Sequence, residues 1–342
     1  MNDILVSVCI TAYNLESFLS QTIEGVLMQE TDFPFEIIIG DDASTDRTRE
    51  ICLSYKEKYP DKIELVLHEK NVGVAKNDIS VVKQAKGKYI AWCDGDDYWI
   101  TKDKLQKQCD VLENNRDVAL VLTDWLDYFE QTKTFGKKKN IQSDLEKESY
   151  GKEGIKMLVL HKTIGTRFSS CMFRKEYYID ALNNNPDLFL LGHLNNDIAV
   201  FVAMYERGRF FLIPEFTTVY RIRVGSLSIH ANKEKLFFYW LGYLRLLAHI
   251  IKYYGLDDET KDIAIREMLH SLLKHTLYHK KPVETAEIKK ITEKVNYKFP
   301  FSQKLLYLGS CNRFLAFFLK PLFKVNYCFQ KIWERIRRFV TY

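Results

Sequence analysis

Three aspartates, Asp94, Asp96 and Asp97, lie within four positions directly after the apolar run YIAWC. Carboxylates this close repel one another, and Mg²⁺ or Mn²⁺ relieves such repulsion by binding one or two carboxylates together with phosphate oxygens. Gly95 allows the sharp backbone turn that lets Asp94 and Asp96 converge on one ion. The stretch therefore predicts a site for a divalent cation and a diphosphate. An acidic turn in which Asp97 caps the next helix explains the same letters equally well.

A second acidic pair, Asp41 and Asp42, follows the apolar run EIIIG, and the segment TAYN at residues 11–14 follows another such run. The ring of Tyr13 can stack on a nucleobase, and a carboxylate can accept the imide N–H of that base. A turn capped by its own polar side chains is the alternative, and it accounts for residues 44–46 better than for the aspartate pair.

Short β-branched or aromatic runs alternate with amphipathic helical segments up to about residue 125. The predicted strands are ILVSVCI, FEIIIG, IELVL, YIAWC and VALVLT. Parallel strands need such helical crossovers, so the pattern predicts an α/β fold with a mostly parallel sheet flanked by helices. The carboxyl ends of parallel strands meet at one edge, where ligands of these sheets bind. Both acidic clusters and TAYN are therefore expected in one pocket.

The pattern changes along the remainder of the chain. Residues 130–154 are polar and rich in lysine and are predicted to form an excursion without regular structure. Two segments, GTRFSSCMFRKEYY and RFFLIPEFTTVYRIR, are predicted strands of a less regular second half. Long helical segments rich in Leu, Phe and Tyr begin at about residue 233. We therefore predict a first domain over residues 1–232 and a helical region over 233–342.

Composition narrows the class of protein. With 342 residues and 46% hydrophobic content, the chain can bury one large core or two modest ones. Its seven cysteines form no CxxC pair, so neither a disulfide scaffold nor a structural zinc site is indicated and a reducing cytoplasm is predicted. The start MNDILVSVCITAYN is interpreted as a first strand and not as a signal peptide. No nucleic-acid partner is predicted, and the oligomeric state stays open.

The positive charge is concentrated at the C-terminus. Residues 303–342 hold eight Lys or Arg and one Glu, a local charge of +7, and the rest of the chain carries −2. This aromatic, basic segment is typical of an amphipathic helix at an anionic membrane surface, and a helix for docking or oligomerisation explains it equally well. A separate apolar stretch near residues 235–255 is interrupted by Arg245 and His249, so it is interpreted as a packed helix and not as a membrane span.

Four segments in order, VSVCITAYN, EIIIGDDASTDRT, NVGVAKN and GKYIAWCDGDDYW, resemble the family-2 inverting glycosyltransferases with the GT-A fold. The resemblance is strong over residues 4–125 and loose over 160–230. It implies transfer of a sugar from a nucleoside diphosphate donor, most often UDP, to an acceptor hydroxyl with the help of Mn²⁺ or Mg²⁺.

Residue by residue, the resemblance assigns side chains to the donor. They are Thr11, Tyr13 and Asp42 with neighbouring Asp41 for the base, Lys76 for the nucleotide, Asp94 for ribose or metal, and Asp96 for metal. Lys76 stands where the family often has arginine, so its role is the least firmly assigned.

The resemblance also implies a catalytic base in the second half of the first domain. An inverting transfer needs a carboxylate that takes the proton from the acceptor hydroxyl, a contribution of typically ~10²–10⁴-fold in rate. The segment LNNDIAVF offers Asp197, preceded by Asn196 where the family commonly has glutamate. An N-cap role for Asp197 on a helix over 198–207 is compatible with that assignment.

Downstream, YRIRVGSLS resembles the family segment whose basic residue approaches the diphosphate. A cation there stabilises the charge that develops on the leaving group. The candidates are Arg221, Arg223 and His230, and an ordinary pair of surface arginines is an equally good explanation.

Two other functions compete with glycosyl transfer. A sugar nucleotidyltransferase would need a glycine-rich loop after the first strand, and TAYNLESF contains no glycine. A non-catalytic scaffold that binds nucleotide or glycan would not need Asp42, Asp94, Asp96 and Asp197 together. By family analogy we expect an acceptor in a bacterial surface polysaccharide or lipid-linked glycan, and a protein at the inner face of the plasma membrane.

Overall fold

The computed structural model describes residues 4–136, 150–160, 167–192, 196–224, 233–279, 281–312, 315–316 and 319–320. The chain divides into two compact units, one of residues 1–155 and 164–226 and the other of 156–163 and 227–342. The predicted boundary at residue 232 and the basic segment 321–342 lie outside the described residues.

A nine-stranded mixed sheet forms the centre of the first unit. Its strands are β1 (Val6–Ala12), β2 (Phe35–Asp41), β3 (Ile63–Leu67), β4 (Tyr89–Asp94), β5 (Tyr98–Trp99), β6 (Val118–Phe129), β7 (Thr134–Phe135), β8 (Met172–Arg174) and β9 (Arg209–Ile222). The order is β3-β2-β1-β4-β8-β6-β9-β5, with β7 on β6. Strands β1 to β4 pair in parallel, as do β6 and β9, whereas β8, β5 and β7 run antiparallel to their neighbours. The predicted mixed, mostly parallel fold is confirmed.

The central strands are buried along their length because helices cover them. All seven residues of β2 are buried and β1 is nearly so, as continuous β-branched runs predict for parallel strands. The helices of this unit are α1 (Leu19–Leu27), α2 (Thr48–Lys58), α3 (Val74–Gln84), α4 (Lys104–Asn114), α5 (Gly151–Val159, which runs into the second unit), α6 (Lys175–Asn184), α7 (Pro186–Leu190) and α8 (Asn196–Tyr205).

Three elements differ from the sequence prediction. Strand β6 continues beyond the predicted VALVLT to Phe129, because its outer half pairs with β9. In the described part of the predicted strand around residues 165–178, which begins at Arg167, only the three residues of β8 form a strand, because a 3-10 turn over Phe168–Ser170 precedes them and α6 begins at Lys175. The predicted excursion over 130–154 contains β7 and the start of α5, and residues 137–149 lie outside the described part of the chain.

The second unit is helical in its described part. Its helices are α9 (Lys233–Tyr253), α10 (Asp258–His279), α11 (Pro282–Glu293) and α12 (Phe301–Cys311), and α10 contacts the other three. Within the described residues, no helix has the combination of length and apolar character needed to cross a bilayer. The six cysteines in this description are unpaired, and only Cys311 among them is exposed.

Candidate active site

Strand register brings three predicted site segments to one edge of the sheet. Thr11 pairs with Gly40 of β2 on one side and with Asp94 of β4 on the other. The backbone continues this alignment, since the Asp42 N–H donates to the Ala12 carbonyl at 3.0 Å and the Gly95 N–H donates to the Thr11 carbonyl at 3.1 Å. We call Thr11, Asp42, Asp94 and Asp96 the strand-end cluster.

The Asp42 carboxylate holds the loop that leads into α3. It accepts the backbone N–H groups of Val72 at 2.6 Å and Gly73 at 3.0 Å. Gly73 has φ +87°, a conformation that suits glycine. Tyr13 is exposed at the same edge, and Lys76 is exposed in the first turn of α3. The Asp42 carboxylate is therefore held by backbone N–H groups at the edge where Tyr13 is exposed.

The Asp41 carboxylate is engaged by residues of the protein itself. It is fully buried and accepts the Arg49 Nε–H at 2.6 Å and the Ser44 N–H at 3.2 Å. Arg49 also donates to the His68 carbonyl at 2.5 Å. These contacts tie the end of β2 to α2 and to the residue after β3.

Asp94 is enclosed by hydrogen-bond partners. Its Oδ1 accepts the Trp92 Nε1–H at 2.9 Å, and its backbone N–H donates to the Ser169 Oγ at 3.0 Å. Burial, followed by the neighbouring charge of Asp96, raises the pKa of Asp94 to about 6. The charge of Asp96 is the smaller of these two causes, and a cation beside both carboxylates would relieve it.

Asp97 does not cap a helix, and that part of the sequence interpretation is wrong. The residues after it form β5, and α4 begins only at Lys104. The Asp97 side chain is buried, with Oδ2 accepting the Ser169 hydroxyl at 2.5 Å and Oδ1 accepting the Arg221 backbone N–H at 2.8 Å. Burial raises its pKa well above the ordinary range, so the turn has one carboxyl turned inward.

Two arginines at the end of β9 contact Asp96 in different ways. Arg223 Nε donates to the Asp96 carboxylate at 2.8 Å in a partly exposed ion pair. Arg221 is buried and donates to the Asp96 carbonyl at 2.7 Å, to Glu130 at 2.7 Å and to Gln21 at 2.6 Å. The third candidate of this segment, His230, lies outside the described residues.

The carboxylates fit a divalent cation of a particular kind. Among the described residues, no group of three or more His, Cys, Asp or Glu side chains could hold a metal ion. Asp94 and Asp96 supply two carboxylates whose charges act on each other. Mg²⁺ and Mn²⁺ sites that are completed by substrate phosphates and water need no more protein ligands than these.

Asp197 lies in the first turn of α8, next to a buried polar contact. Its Oδ1 accepts the Ile198 N–H at 2.9 Å, and burial raises its pKa while Arg167 opposes that shift. The preceding Asn196 donates from Nδ2 to Asp78 of α3 at 2.8 Å. The charge of Asp197 also contributes to the raised pKa of Asp94, so the two carboxylates are within electrostatic range.

Sequence reasoning missed three polar residues of this region. Ser169 connects Asp94 and Asp97, Asp78 lies under the start of α8, and Arg167 influences Asp197. Asp78 directly follows the segment NVGVAKN, and this position beside a recognised segment could have drawn attention to it. Ser169 and Arg167 occur in a segment that was interpreted as a plain strand.

The matched family agrees with this geometry. A sequence profile described as Glycosyl transferase family 2 matches residues 7–182. A glycosyltransferase of Methanocaldococcus jannaschii, named as uncharacterized, is 31% identical over 251 residues, which make up 70% of this chain and 79% of that protein. The chain therefore belongs to glycosyl transferase family 2.

Other similarities cover shorter stretches or the fold alone. An Escherichia coli protein named UDP-Glc:alpha-D-GlcNAc-diphosphoundecaprenol beta-1,3-glucosyltransferase is 36% identical over 115 residues, 34% of this chain and 44% of that protein. The chain covers 33% of the length of an uncharacterized Mycobacterium tuberculosis relative that it matches at 39% identity, again over 33% of this chain. The crystal structure of Staphylococcus aureus TarS residues 1–349 with UDP-GlcNAc has a TM-score of 0.56 at 17% identity, covering 89% of this chain and 91% of that one.

Proposed function

We propose that this glycosyltransferase moves a sugar, with inversion, from a nucleoside diphosphate donor to an acceptor hydroxyl. The observation that carries the proposal is the strand-end cluster, in which register places Thr11 between Gly40 and Asp94 while Asp42 emerges beside them. This is the edge at which open parallel sheets bind nucleotides. The name of the Escherichia coli relative supports UDP as the nucleotide.

On this proposal the donor base binds between Tyr13, Thr11 and Asp42, and Lys76 lies near the nucleotide. Tyr13 is 47% exposed, which leaves its ring open for stacking. Asp42 keeps lone pairs for a base N–H, because each carboxylate oxygen can accept more than the one backbone bond it receives here. Asp41 supports this arrangement from behind through Arg49.

Asp94 and Asp96 would hold the divalent cation, with donor phosphate oxygens completing its ligands. A bound cation supplies positive charge to the diphosphate that departs. The ion pair of Arg223 with Asp96 keeps a guanidinium beside that position. Each of the three nitrogens of Arg221 already donates to a protein oxygen, so we assign it a supporting role in the proposal.

Asp197 is the proposed base that takes the proton from the acceptor hydroxyl. Its raised pKa brings it nearer to neutrality, where a general base works best. The Ile198 N–H and the charge of Arg167 favour the ionised form of Asp197 and oppose the effect of burial on its pKa. A carboxylate on the side of the sugar opposite the leaving diphosphate gives inversion.

The experiment is a transfer assay with UDP-glucose, UDP-N-acetylglucosamine and GDP-mannose as donors and Mn²⁺ or Mg²⁺ as cation. An N-acetylglucosamine diphospholipid serves as the first acceptor, following the relative's name. We expect metal-dependent release of the nucleoside diphosphate with one donor and a product of inverted anomeric configuration by NMR. Absence of both nucleotide binding and release with every donor would overturn the proposal, and a retained configuration would overturn inversion alone.

We also propose peripheral membrane contact through residues 303–342, whose local charge is +7. A protein truncated after residue 302 should lose association with liposomes that contain anionic lipid, because about 1 kcal/mol per basic residue is lost near such a surface. Unchanged association would favour a docking or oligomer role, which sedimentation of both proteins would reveal.

A further inference from the structure

Arg167 differs from the other buried arginines in the first unit. Of the three arginines that the structure describes as buried, Arg174 donates to the carbonyls of Val118 at 2.9 Å and Leu112 at 2.8 Å, and Arg221 donates to three oxygens. The Nε and Nη2 atoms of Arg167 have no hydrogen-bond partner among the described residues, although its side chain is only 7% exposed. Unpaired buried donors on a charged group are costly, so this pair needs a reason.

The two unpaired atoms form one edge of the guanidinium. Parallel N–H groups on such an edge bind two oxygens at once, and this geometry distinguishes arginine from lysine. A ligand with two adjacent oxygen atoms therefore matches the part of Arg167 that the protein leaves unsatisfied.

Arg167 lies against one face of the β6–β9 pair. Its guanidinium carbon is 3.9 Å from the Tyr220 ring centroid and 5.4 Å from that of Trp125. Trp125 and Asp127 are on the same face because side chains alternate along a strand, and Asp127 is the register partner of Tyr220. We call Trp125, Asp127, Arg167 and Tyr220 the β6–β9 cluster. Its two rings are half-buried, so they form part of an open surface.

The charge of the β6–β9 cluster favours a neutral ligand. The Asp127 Oδ1 lies 3.6 Å from the Arg167 Nη2, which balances the guanidinium without occupying it at hydrogen-bond distance. An acidic ligand would meet the carboxylates of Asp127 and, nearby, Asp197. Sugar hydroxyls both donate and accept, whereas arginine only donates and a carboxylate only accepts, so neighbouring hydroxyls complement the pair.

We propose that the β6–β9 cluster is the acceptor subsite, in which the Nε–Nη2 edge of Arg167 binds two adjacent hydroxyls of a neutral sugar. This inference rests on the proposed sugar transfer and extends it to the class of acceptor. The two nitrogens lie out of contact with solvent, so a neighbouring side chain must move before the sugar reaches them. The influence of Arg167 on the pKa of Asp197 agrees with a subsite beside the base.

The test measures binding of small glycosides to the UDP-saturated protein by saturation-transfer NMR. The probes are methyl glucoside, methyl galactoside and methyl N-acetylglucosaminide, with methyl glucuronide as the acidic counterpart. We expect at least one neutral glycoside to bind. Arg167→Gln should weaken that binding by about tenfold or more, the usual loss for a bidentate charged contact.

Arg167→Lys should lose as much glycoside binding as Arg167→Gln, because lysine keeps the charge but has no parallel donor pair. Arg209→Gln, a change at a partly exposed arginine paired with Asp117, is the matched control and should bind like wild type. Should both Arg167 variants fail to fold, Tyr220→Leu removes the ring that covers the guanidinium and should weaken neutral glycosides several-fold.

Each other result overturns the subsite. No glycoside binding to wild type, equal binding by folded Arg167→Gln, or a preference for the glucuronide would contradict the proposal. Loss of UDP binding in Arg167→Gln would instead put Arg167 on the donor. Failure of wild type to bind UDP would contradict the proposed donor class. The glycoside measurement, repeated without nucleotide, would then test the subsite separately.

Discussion

The strand-end cluster and the β6–β9 cluster lie in one unit and are built in different ways. In the strand-end cluster, strand register places the residues, and backbone N–H groups of Val72 and Gly73 hold the Asp42 carboxylate. Side chains hold the other two carboxylates, with Trp92 donating to Asp94 and Arg223 to Asp96. In the β6–β9 cluster, side chains hold one another, with Arg167 between aromatic rings and Asp127.

The difference affects how each cluster responds to substitution. Backbone contacts tolerate exchange of neighbouring side chains, so the strand register of the first cluster depends little on any one of them. Contacts between side chains change with a single substitution, and a site made from them can be altered without disturbing the sheet. We infer that donor chemistry resides in the first region and acceptor choice in the second, and four predictions test that division.

The largest effect is expected from Asp197→Asn. Removal of the proposed base should lower kcat by roughly 10²–10⁴-fold, because the acceptor proton then has no carboxylate to receive it. Donor KM should change little, since Asp197 lies on the acceptor side of the division. Steady-state kinetics with Asp61→Asn as an exposed control measure this, and full turnover by Asp197→Asn would place the base elsewhere.

The next effect concerns the cation at Asp96. Asp96→Ala should weaken Mn²⁺ binding by at least the ~10–100-fold that even outer partners of a metal contribute, while binding of methyl glycosides stays unchanged. Titration followed by electron paramagnetic resonance measures the Mn²⁺ affinity without turnover.

Arg223→Gln provides the opposing variant for that measurement. It removes the ion pair at 2.8 Å and leaves the Asp96 carboxylate available, so Mn²⁺ should bind more tightly in the absence of donor. Weaker Mn²⁺ binding by Arg223→Gln would show that the arginine organises the carboxylate instead of competing for it.

Ser169→Ala should lower the free energy of unfolding of the protein and so affect both clusters. The hydroxyl donates to Asp97 and accepts from the Asp94 backbone, so its removal leaves buried groups unpaired at a cost of about 1–3 kcal/mol in the free energy of unfolding. Urea unfolding measures this cost. Ser54→Ala, at an exposed position, should stay within about 0.5 kcal/mol of wild type, and an equal effect of both changes would contradict the role of Ser169.

Asp78 gives the smallest effect, visible as a pH dependence. Burial raises its pKa to about 8, so the folded protein binds a proton that the unfolded chain releases near pH 4. Its contribution to stability is therefore present at low pH and lost as pH rises through about 8. Asp78→Asn, which resembles the protonated acid, should gain at least about 1 kcal/mol relative to wild type between pH 5 and pH 8.

Urea unfolding across that pH range checks the sign for Asp78. Asp61→Asn, at an exposed aspartate, should show no such trend. A difference between Asp78→Asn and wild type that stays constant with pH would mean that Asp78 is ionised in the folded protein.

The sequence predicted the strand-end cluster because each part of it is encoded within one short stretch of sequence. A strand that ends in a carboxylate can be recognised within ten letters, and parallel pairing brings such ends together. Asp97 was misassigned because its partners Ser169 and Arg221 lie 72 and 124 positions away. The role of Arg167 could not be predicted from the sequence, because its contacts with Trp125 and Tyr220 form only in the folded protein.

The inward-turned carboxyl of Asp97 has a consequence for biosynthesis. As a ribosome makes the chain, the acidic turn emerges long before Ser169 and Arg221, the residues that satisfy Asp97. The Asp97 carboxyl therefore lacks its partner from β9 on the nascent chain until that strand has been synthesised. A fragment that ends at residue 182, where the family profile ends, would lack the Arg221 main chain and keep this turn unfinished.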